Sequence, residues 1–335
     1  MLFVRDVKEF DLIERLIAVL GPQPTMVGLG TEVTLGVGDD CAATRSTPGT
    51  NTLYTTDTMV SGTHFLMEMP PEDLGWKSLA SNISDIAGMG GLPTVALVTI
   101  AVPPDLRLDW LMGWYRGMAE CARTYNVAMS GGDVVRTSAD TCITISLCGE
   151  VEADRPVTRS GARAGDIIII TGSPGESAAG LALWQAHEQP SNRLLQAHLR
   201  PMPRVREARA AIAAGGVTAM MDLSDGVGGD IRHVCRASRV GARIDARAIP
   251  IGDDLREAAA QLRRDPLEWM ISGGEDYELL LFVEPGSAQT VLAEIQAEAG
   301  TPATIIGEAV DPEKGITIRL PSGGDEPLGG GFQHF

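Results

Sequence analysis

The sequence predicts an α/β chain of two domains, and three observations carry that expectation. Strand-like runs alternate with helical periodicity along the chain, and no low-complexity segment or short-period repeat interrupts them. A length of 335 residues with 44% apolar content can bury a large core and favours two domains over one. Around residues 154–165 the composition turns polar and glycine-bearing before a new apolar run begins. The boundary is therefore expected near residue 152, giving domains 1–152 and 153–335.

The elements follow in order. Phe10, Ile13, Leu16, Ile17 and Leu20 recur at helical spacing and stop at Gly21-Pro22, so the chain opens with a helix. Residues 52–56 read as a strand running into Asp57. After Pro70-Pro71, residues 72–89 place Leu79, Ile83 and Ile86 on one helical face. Ser78, Asn82 and Asp85 share another, a polar stripe expected to face a cleft. Residues 94–102 form a β-branched run, and residues 108–125 a long helix before the strand that leads to Gly131-Gly132-Asp133. Over 141–151, Ile143, Ile145, Leu147 and Gly149 oppose Cys142, Thr144, Ser146 and Cys148, the pattern of a half-buried antiparallel strand.

The second half opens with Asp166-Ile167-Ile168-Ile169-Ile170-Thr171-Gly172, a fully buried strand. Helices are expected over 175–187, 192–199 and 204–214, then a strand over 217–221 that delivers Asp222, and a helix over 227–237. Residues 278–283 and 304–306 supply further strands, and Glu284, Glu294 and Glu298 mark a solvated helix face and its approach. The ending Gly329-Gly330-Gly331-Phe332 is expected to be a mobile tail able to close over a ligand.

Composition excludes several classes. No stretch approaches the roughly 20 apolar residues of a membrane helix, and the first residues lack a signal-peptide plan, which places the chain in the cytoplasm. A formal charge of −17, with lysine only at Lys8, Lys77 and Lys314, argues against nucleic-acid binding. The five cysteines form no Cys-x-x-Cys pair and are expected as buried, reduced thiols. No Gly-Lys dipeptide exists, and neither His-Arg-Asp nor Asp-Phe-Gly occurs, so P-loop and protein-kinase scaffolds are absent.

Chemistry concentrates in five acidic segments: Gly36-Val37-Gly38-Asp39-Asp40, Thr55-Thr56-Asp57-Thr58, Gly131-Gly132-Asp133, Asp222-Leu223-Ser224-Asp225-Gly226 and Gly273-Gly274-Glu275-Asp276. Asp85 adds another carboxylate. One such segment is ordinarily a turn. Many converging carboxylates repel unless cations lie among them, and hard oxygen donors suit Mg²⁺ and a polyphosphate. Gly172-Ser173-Pro174-Gly175 lacks the Walker lysine and reads as a tight structural turn. His187, His198 and His233 fall in helices, where a solvated or capping role is the default, while His64 follows the Thr-Thr-Asp-Thr strand.

Those residues carry a resemblance. The ordered succession GVGDDCA from Gly36, TTDTMVSGTHF from Thr55, NISDIAGMG from Asn82, SGGD from Ser130, TRSGARAGD from Thr158, MDLSDG from Met221 and SGGEDYEL from Ser272 resembles the thiamine-monophosphate kinase family. The resemblance implies the aminoimidazole ribonucleotide synthetase-like fold, with an N-terminal domain whose strands form a β-barrel across a homodimer and a C-terminal α/β domain. It implies direct transfer of the γ-phosphoryl group of ATP to thiamine monophosphate, giving thiamine diphosphate. Domain 1–152 would then carry metal, ATP and dimerisation, and domain 153–335 would complete the metal, ATP and substrate site.

By matching motif, Asp40, Thr55, Thr56, Asp57, Asp85, Asp133, Asp222 and Asp225 would hold several Mg²⁺ ions. Tyr115, Gly132, Asp133, Arg159 and Ser224 would contact ATP, and His64, Glu275 and Phe332 would contact thiamine monophosphate. A phosphate monoester is largely ionised near neutral pH, its second pKa being about 6, so no general base is nominated. Aminoimidazole ribonucleotide synthetase, selenophosphate synthetase and a hydrogenase-maturation relative share the fold and remain alternatives, as does a nucleotide- or cation-binding sensor without turnover.

Overall fold

The computed structural model describes residues 2–331, which divide into two compact units: residues 1–86 with 91–154, and residues 87–90 with 155–335. Phe332, expected to contact substrate, lies outside the described residues.

The first unit begins with α1 (Glu9–Leu20), a helix where the periodicity places one, but its buried face is Leu12, Leu16 and Leu20, and Phe10 and Ile17 of the expected stripe are exposed. Three short strands, β1 (Met26–Val27), β2 (Thr31–Leu35) and β3 (Ala43–Arg45), form an antiparallel sheet. Then follow β4 (Thr50–Val60), α2 (Pro71–Gly88), β5 (Leu92–Val102), α3 (Leu108–Thr124), β6 (Ala128–Arg136) and β7 (Cys142–Glu152). The four longer strands make a sheet in the order β4-β7-β5-β6, with β5 and β6 parallel and the other pairs antiparallel.

On β7, Ile143, Ile145 and Leu147 are buried and Ser146 is exposed, which is the expected alternation. On β4 and β5, Tyr54 and Leu97 stand exposed on the open side. Helices α2 and α3 approach so closely that glycine is obligatory at the crossing: an ideal Cβ on Gly117 would lie 1.7 Å from the Glu72 carbonyl oxygen, and one on Gly75 1.9 Å from that of Trp114. Glu150, at the end of β7, is buried and accepts the Leu29 and Gly30 amides and the Thr31 hydroxyl. A strand acid thereby fixes the turn between β1 and β2.

The second unit contains β8 (Ile167–Thr171), α4 (Glu176–Gln185), α5 (Asn192–Leu199), α6 (Val205–Ala214), β9 (Val217–Leu223), α7 (Val227–Ser238) and β10 (Gly241–Asp245). It continues with α8 (Asp253–Leu262), α9 (Pro266–Ser272), β11 (Glu278–Val283), α10 (Ala288–Ala299), β12 (Ala303–Val310), β13 (Ile316–Arg319) and β14 (Asp325–Pro327). Its seven-stranded sheet runs β14-β13-β10-β12-β8-β11-β9. The isoleucine run of β8 lies between β12 and β11, which explains a strand without polar alternation. Ile168, Ile170, Leu280, Phe282, Val234 and Leu255 belong to one core.

Four expectations change. Asp57, Asp133 and Asp222 lie inside β4, β6 and β9 rather than at their ends, because cross-strand pairing carries each strand past its acid. Of the polar stripe on α2, Ser78 and Asn82 are internal, and Asn82 Nδ2 donates to the Ser78 carbonyl at 3.1 Å. The tail is tied as far as Gly330, since the Arg232 guanidinium donates to the Leu328 and Gly330 carbonyls. None of the five cysteines is in a disulfide, with Cys121 and Cys235 buried and Cys41 exposed. No helix among the described residues is long and apolar enough to cross a membrane.

Candidate active site

In the first unit, side-chain alternation along β4 directs Thr55 and Asp57 to one face. The Thr55 hydroxyl donates to Asp85, and the Ser81 side chain hydrogen-bonds Asp57. Ser81 and Asp85 are one helical turn apart on α2, so strand and helix each present an i, i+2 or i, i+4 pair to the other. Burial pushes the Asp57 carboxyl above its ordinary range, and the Ser81 hydrogen bond opposes that shift. Thr56 faces the other way, its hydroxyl 3.1 Å from the Ile145 carbonyl and 3.0 Å from Ser146 Oγ.

Asp133 is exposed on β6 opposite Thr99 of β5. Gly132 precedes it, and an ideal Cβ there would stand 1.9 Å from the Val98 carbonyl oxygen, so only glycine allows the strands this approach. A cleft of about 650 Å³ is lined by Gly38, Asp40, Tyr54, Leu97, Thr99 and Gly132, among others. Asp40 is exposed in the loop between β2 and β3. His64 caps a turn: its Nδ1 accepts the Val60 amide at 3.1 Å. Tyr115 is buried within α3 with its ring edge-on to Trp114 at 5.0 Å.

In the second unit, β9 carries the buried Asp222 into the Ser224-Asp225-Gly226 turn. The Ser224 and Asp225 amides both donate to Asp230 Oδ2 at 3.0 Å, so an acid in the first turn of α7 shapes the loop before that helix. Burial, with the charges of Asp222 and Asp225, pushes the Asp230 carboxyl up to about 8. Ligand atoms of Asp225, Asp230 and His233 lie within 4.8 Å of one another. Arg159 is exposed, and its charge helps depress the His233 imidazole, although burial is the larger cause.

Glu275 and Tyr277 adopt left-handed φ values of 63° and 52°. Their amides donate to the Ser224 and Leu223 carbonyls at 2.8 Å, which fastens the Gly-Gly-Glu-Asp-Tyr segment to the end of β9. An ideal Cβ on Gly274 would sit 2.5 Å from the Ser224 carbonyl oxygen, so the two loops interlock through that glycine. Sequence reasoning missed Ser81, Asp230 and His233. The Asp230-x-x-His233 spacing was a readable signal, since i, i+3 residues share a helix face. His198 is buried, against the solvated or capping default.

The chain matches the family descriptions "AIR synthase related protein, N-terminal domain" over residues 38–151 and "AIR synthase related protein, C-terminal domain" over residues 163–319. It is 38% identical over 291 residues to the thiamine-monophosphate kinase of Escherichia coli K12, covering 85% of this chain and 87% of that one. The crystal structure of thiamine-monophosphate kinase from Stenotrophomonas maltophilia K279a is 30% identical with a TM-score of 0.80, covering 94% and 97% of the two chains. A structure described as AaThiL complexed with AMPPCP and TMP is 28% identical with a TM-score of 0.75, covering 100% of this chain and 99% of that one. On two matched domains, this identity and this shared fold, the chain belongs to the thiamine-monophosphate kinase family.

Proposed function

We propose that this chain is an ATP-dependent thiamine-monophosphate kinase, which transfers the γ-phosphoryl group of ATP in line to thiamine monophosphate and releases thiamine diphosphate and ADP. The observation that carries the reading is likeness over the whole chain to a structure described with AMPPCP and TMP, joined to the acidic sites above. The sensor reading loses ground because relatives 36–38% identical over more than four-fifths of the chain are named as kinases.

The donors fit a hard divalent cation. Asp57 beside Thr55 and Asp85 offers carboxylate and hydroxyl oxygens on one face, and burial holds its carboxyl above the ordinary range. Burial, with a smaller contribution from the charges of Asp222 and Asp225, pushes the Asp230 carboxyl up to about 8, and a cation beside it would favour the ionised form. We assign Mg²⁺ to Asp40, Thr55, Thr56, Asp57, Asp85, Asp133, Asp222 and Asp225, with Thr56 the weakest donor because its hydroxyl is turned to β7. Bound Mg²⁺ supplies charge neutralisation for both phosphate groups and alignment of the attacking and leaving oxygens.

The chain's own residues do the rest. Arg159, exposed and planar, suits bidentate contact with phosphate oxygens of ATP. Gly132 and Ser224 offer backbone close to a nucleotide, and Glu275 and His64 meet the second substrate, the Glu275 carboxylate balancing the cationic thiazolium. An acceptor phosphate that is already ionised needs no proton removed, which leaves positioning and electrostatics as the whole task. In this reading residues 1–152 supply metal, ATP and dimer contacts, and residues 153–335 complete the metal, ATP and substrate contacts.

We further infer a homodimer. The open side of the β4-β7-β5-β6 sheet exposes Tyr54, Leu97 and Val135 among threonine and serine side chains, a face that a second copy can cover by closing a barrel. The unbridged cysteines support a cytoplasmic setting. The test is chromatographic detection of thiamine diphosphate after incubation with Mg-ATP and either thiamine monophosphate or thiamine, with EDTA as control. Metal-dependent product from the monophosphate is expected, and ATP binding without product would overturn the reading.

A further inference from the structure

His198 does not behave as a solvated helix residue. Its side chain, on α5, is 6% exposed, and its ring stands edge-on to Trp184 at 6.4 Å. Nδ1 lies 3.2 Å from Ser177 Oγ and 3.7 Å from Glu275 Oε2. Ser177 is itself buried in the first turn of α4, and its amide donates to Asp276 Oδ1 at 3.4 Å. The imidazole is thus held by packing against Trp184 and by Nδ1 at the buried Ser177 hydroxyl, and the same nitrogen is the one nearest the Glu275 carboxylate.

Glu275 has the opposite character. Its backbone is fixed in a left-handed conformation by its amide bond to Ser224, yet its side chain remains 30% exposed. A carboxylate only accepts, so a proton on Nδ1, between the Ser177 hydroxyl and the Glu275 carboxylate, would favour one orientation of that carboxylate. A carboxylate so oriented attracts a cationic heteroaromatic ring. Non-glycine residues in left-handed backbone are costly, and such cost persists where the surroundings over-determine the conformation.

We propose that His198 is a positioning residue for Glu275: a buried imidazole, itself set by Ser177 and Trp184, that aims this carboxylate at the cationic ring of the phosphate-accepting substrate. The proposal rests on the assignment of Glu275 to that substrate.

The test is steady-state kinetics with the full chain and Mg-ATP, comparing wild type, Glu275→Gln, His198→Gln, His198→Asn and the double variant Glu275→Gln/His198→Gln. The Asn amide reaches the position of Nδ1, whereas the Gln amide reaches that of Nε2. Glu275→Gln is expected to raise KM for thiamine monophosphate about tenfold. His198→Gln is expected to raise it about three- to tenfold with KM for ATP unchanged, His198→Asn to recover most of that loss, and the double variant to be no worse than Glu275→Gln alone.

A fully additive double variant, or His198→Asn as impaired as His198→Gln, overturns the positioning role and leaves Glu275 in place. Unchanged KM in Glu275→Gln removes Glu275 from the substrate site and takes the proposal with it. Should a His198 variant fail to fold, Ser177→Ala replaces it, with the same expected split between the two KM values; unchanged KM for thiamine monophosphate there also overturns the role.

Discussion

Asp276 accepts the Gly175 amide at 2.8 Å and the Ser177 amide at 3.4 Å, so a buried carboxylate of this chain occupies the N-terminus of α4. That is where a glycine-bearing loop would otherwise present its amides to a phosphate. The protein has filled this phosphate-like cradle with its own acid.

A pH dependence follows from that burial. Desolvation holds the Asp276 carboxyl well above its usual range despite both amide bonds, with Glu278 and Glu176 adding repulsion. A carboxyl raised in the folded state contributes stability that is fully present below its unfolded value near 3.8 and is lost as pH rises through the folded pKa. Asn at this position mimics the protonated form. Melting temperatures of wild type and Asp276→Asn should therefore diverge as pH rises above 4, with wild type falling faster; parallel curves would contradict it.

Asp57 separates stability from turnover. Its carboxyl is raised by burial, so Asp57→Asn removes a poorly solvated charge and should leave the metal-free melting temperature equal or higher. The same change should lower kcat by about a hundredfold or more, as loss of a preorganised electrostatic group does. Melting in EDTA and turnover in Mg-ATP together check this, and unchanged turnover would remove Asp57 from the metal site.

The helix crossing gives a steric prediction. Gly117→Ala drives a methyl group into the Glu72 backbone, whose carbonyl oxygen would be 1.7 Å away, and should cost about 1–3 kcal/mol or more. Gly286→Ala meets open space and should stay within about 0.5 kcal/mol of wild type. Urea unfolding of both variants measures the contrast, and equal costs would show that α2 and α3 separate easily.

A half-buried ion pair provides the fourth. Arg204 Nε and Nη2 lie 2.7 and 2.5 Å from the two Glu278 oxygens, and the Thr171 hydroxyl donates to the same carboxylate at 2.6 Å. Arg204→Met leaves that carboxylate without its guanidinium and should cost about 3–5 kcal/mol, while Arg204→Met with Glu278→Gln should cost clearly less. Calorimetric unfolding of the single and double variants decides it; an equal or larger loss in the double variant would mean that the pair matters for packing rather than charge.

Legibility in the sequence tracked the range of the forces involved. The opening helix and the alternation of Ile143, Ile145 and Leu147 were readable because each pattern is local, although the helix turns Leu12 inward and leaves Phe10 and Ile17 exposed. β10, five residues long, exists through its pairing with β12 and β13, which lie about seventy residues away. The acids were found by type, but their positions within strands were not, since the pairing of β4 with β7 extends to Val60 opposite Cys142. Ser81 sits one residue from the polar stripe that was noticed. The burial of His198 depends on Trp184 and Ser177, whose proximity no spacing rule reveals.

The left-handed pair at Glu275 and Tyr277 places two opposing selection pressures on one loop. Glycine at 275 would relieve about 1 kcal/mol of backbone cost, so a library screened only for heat tolerance should drift towards it. Screened instead for growth without supplied thiamine, the same library should keep the acid. Sequence enrichment at this single codon would then report which of the two demands, endurance or turnover, a given environment places on the enzyme.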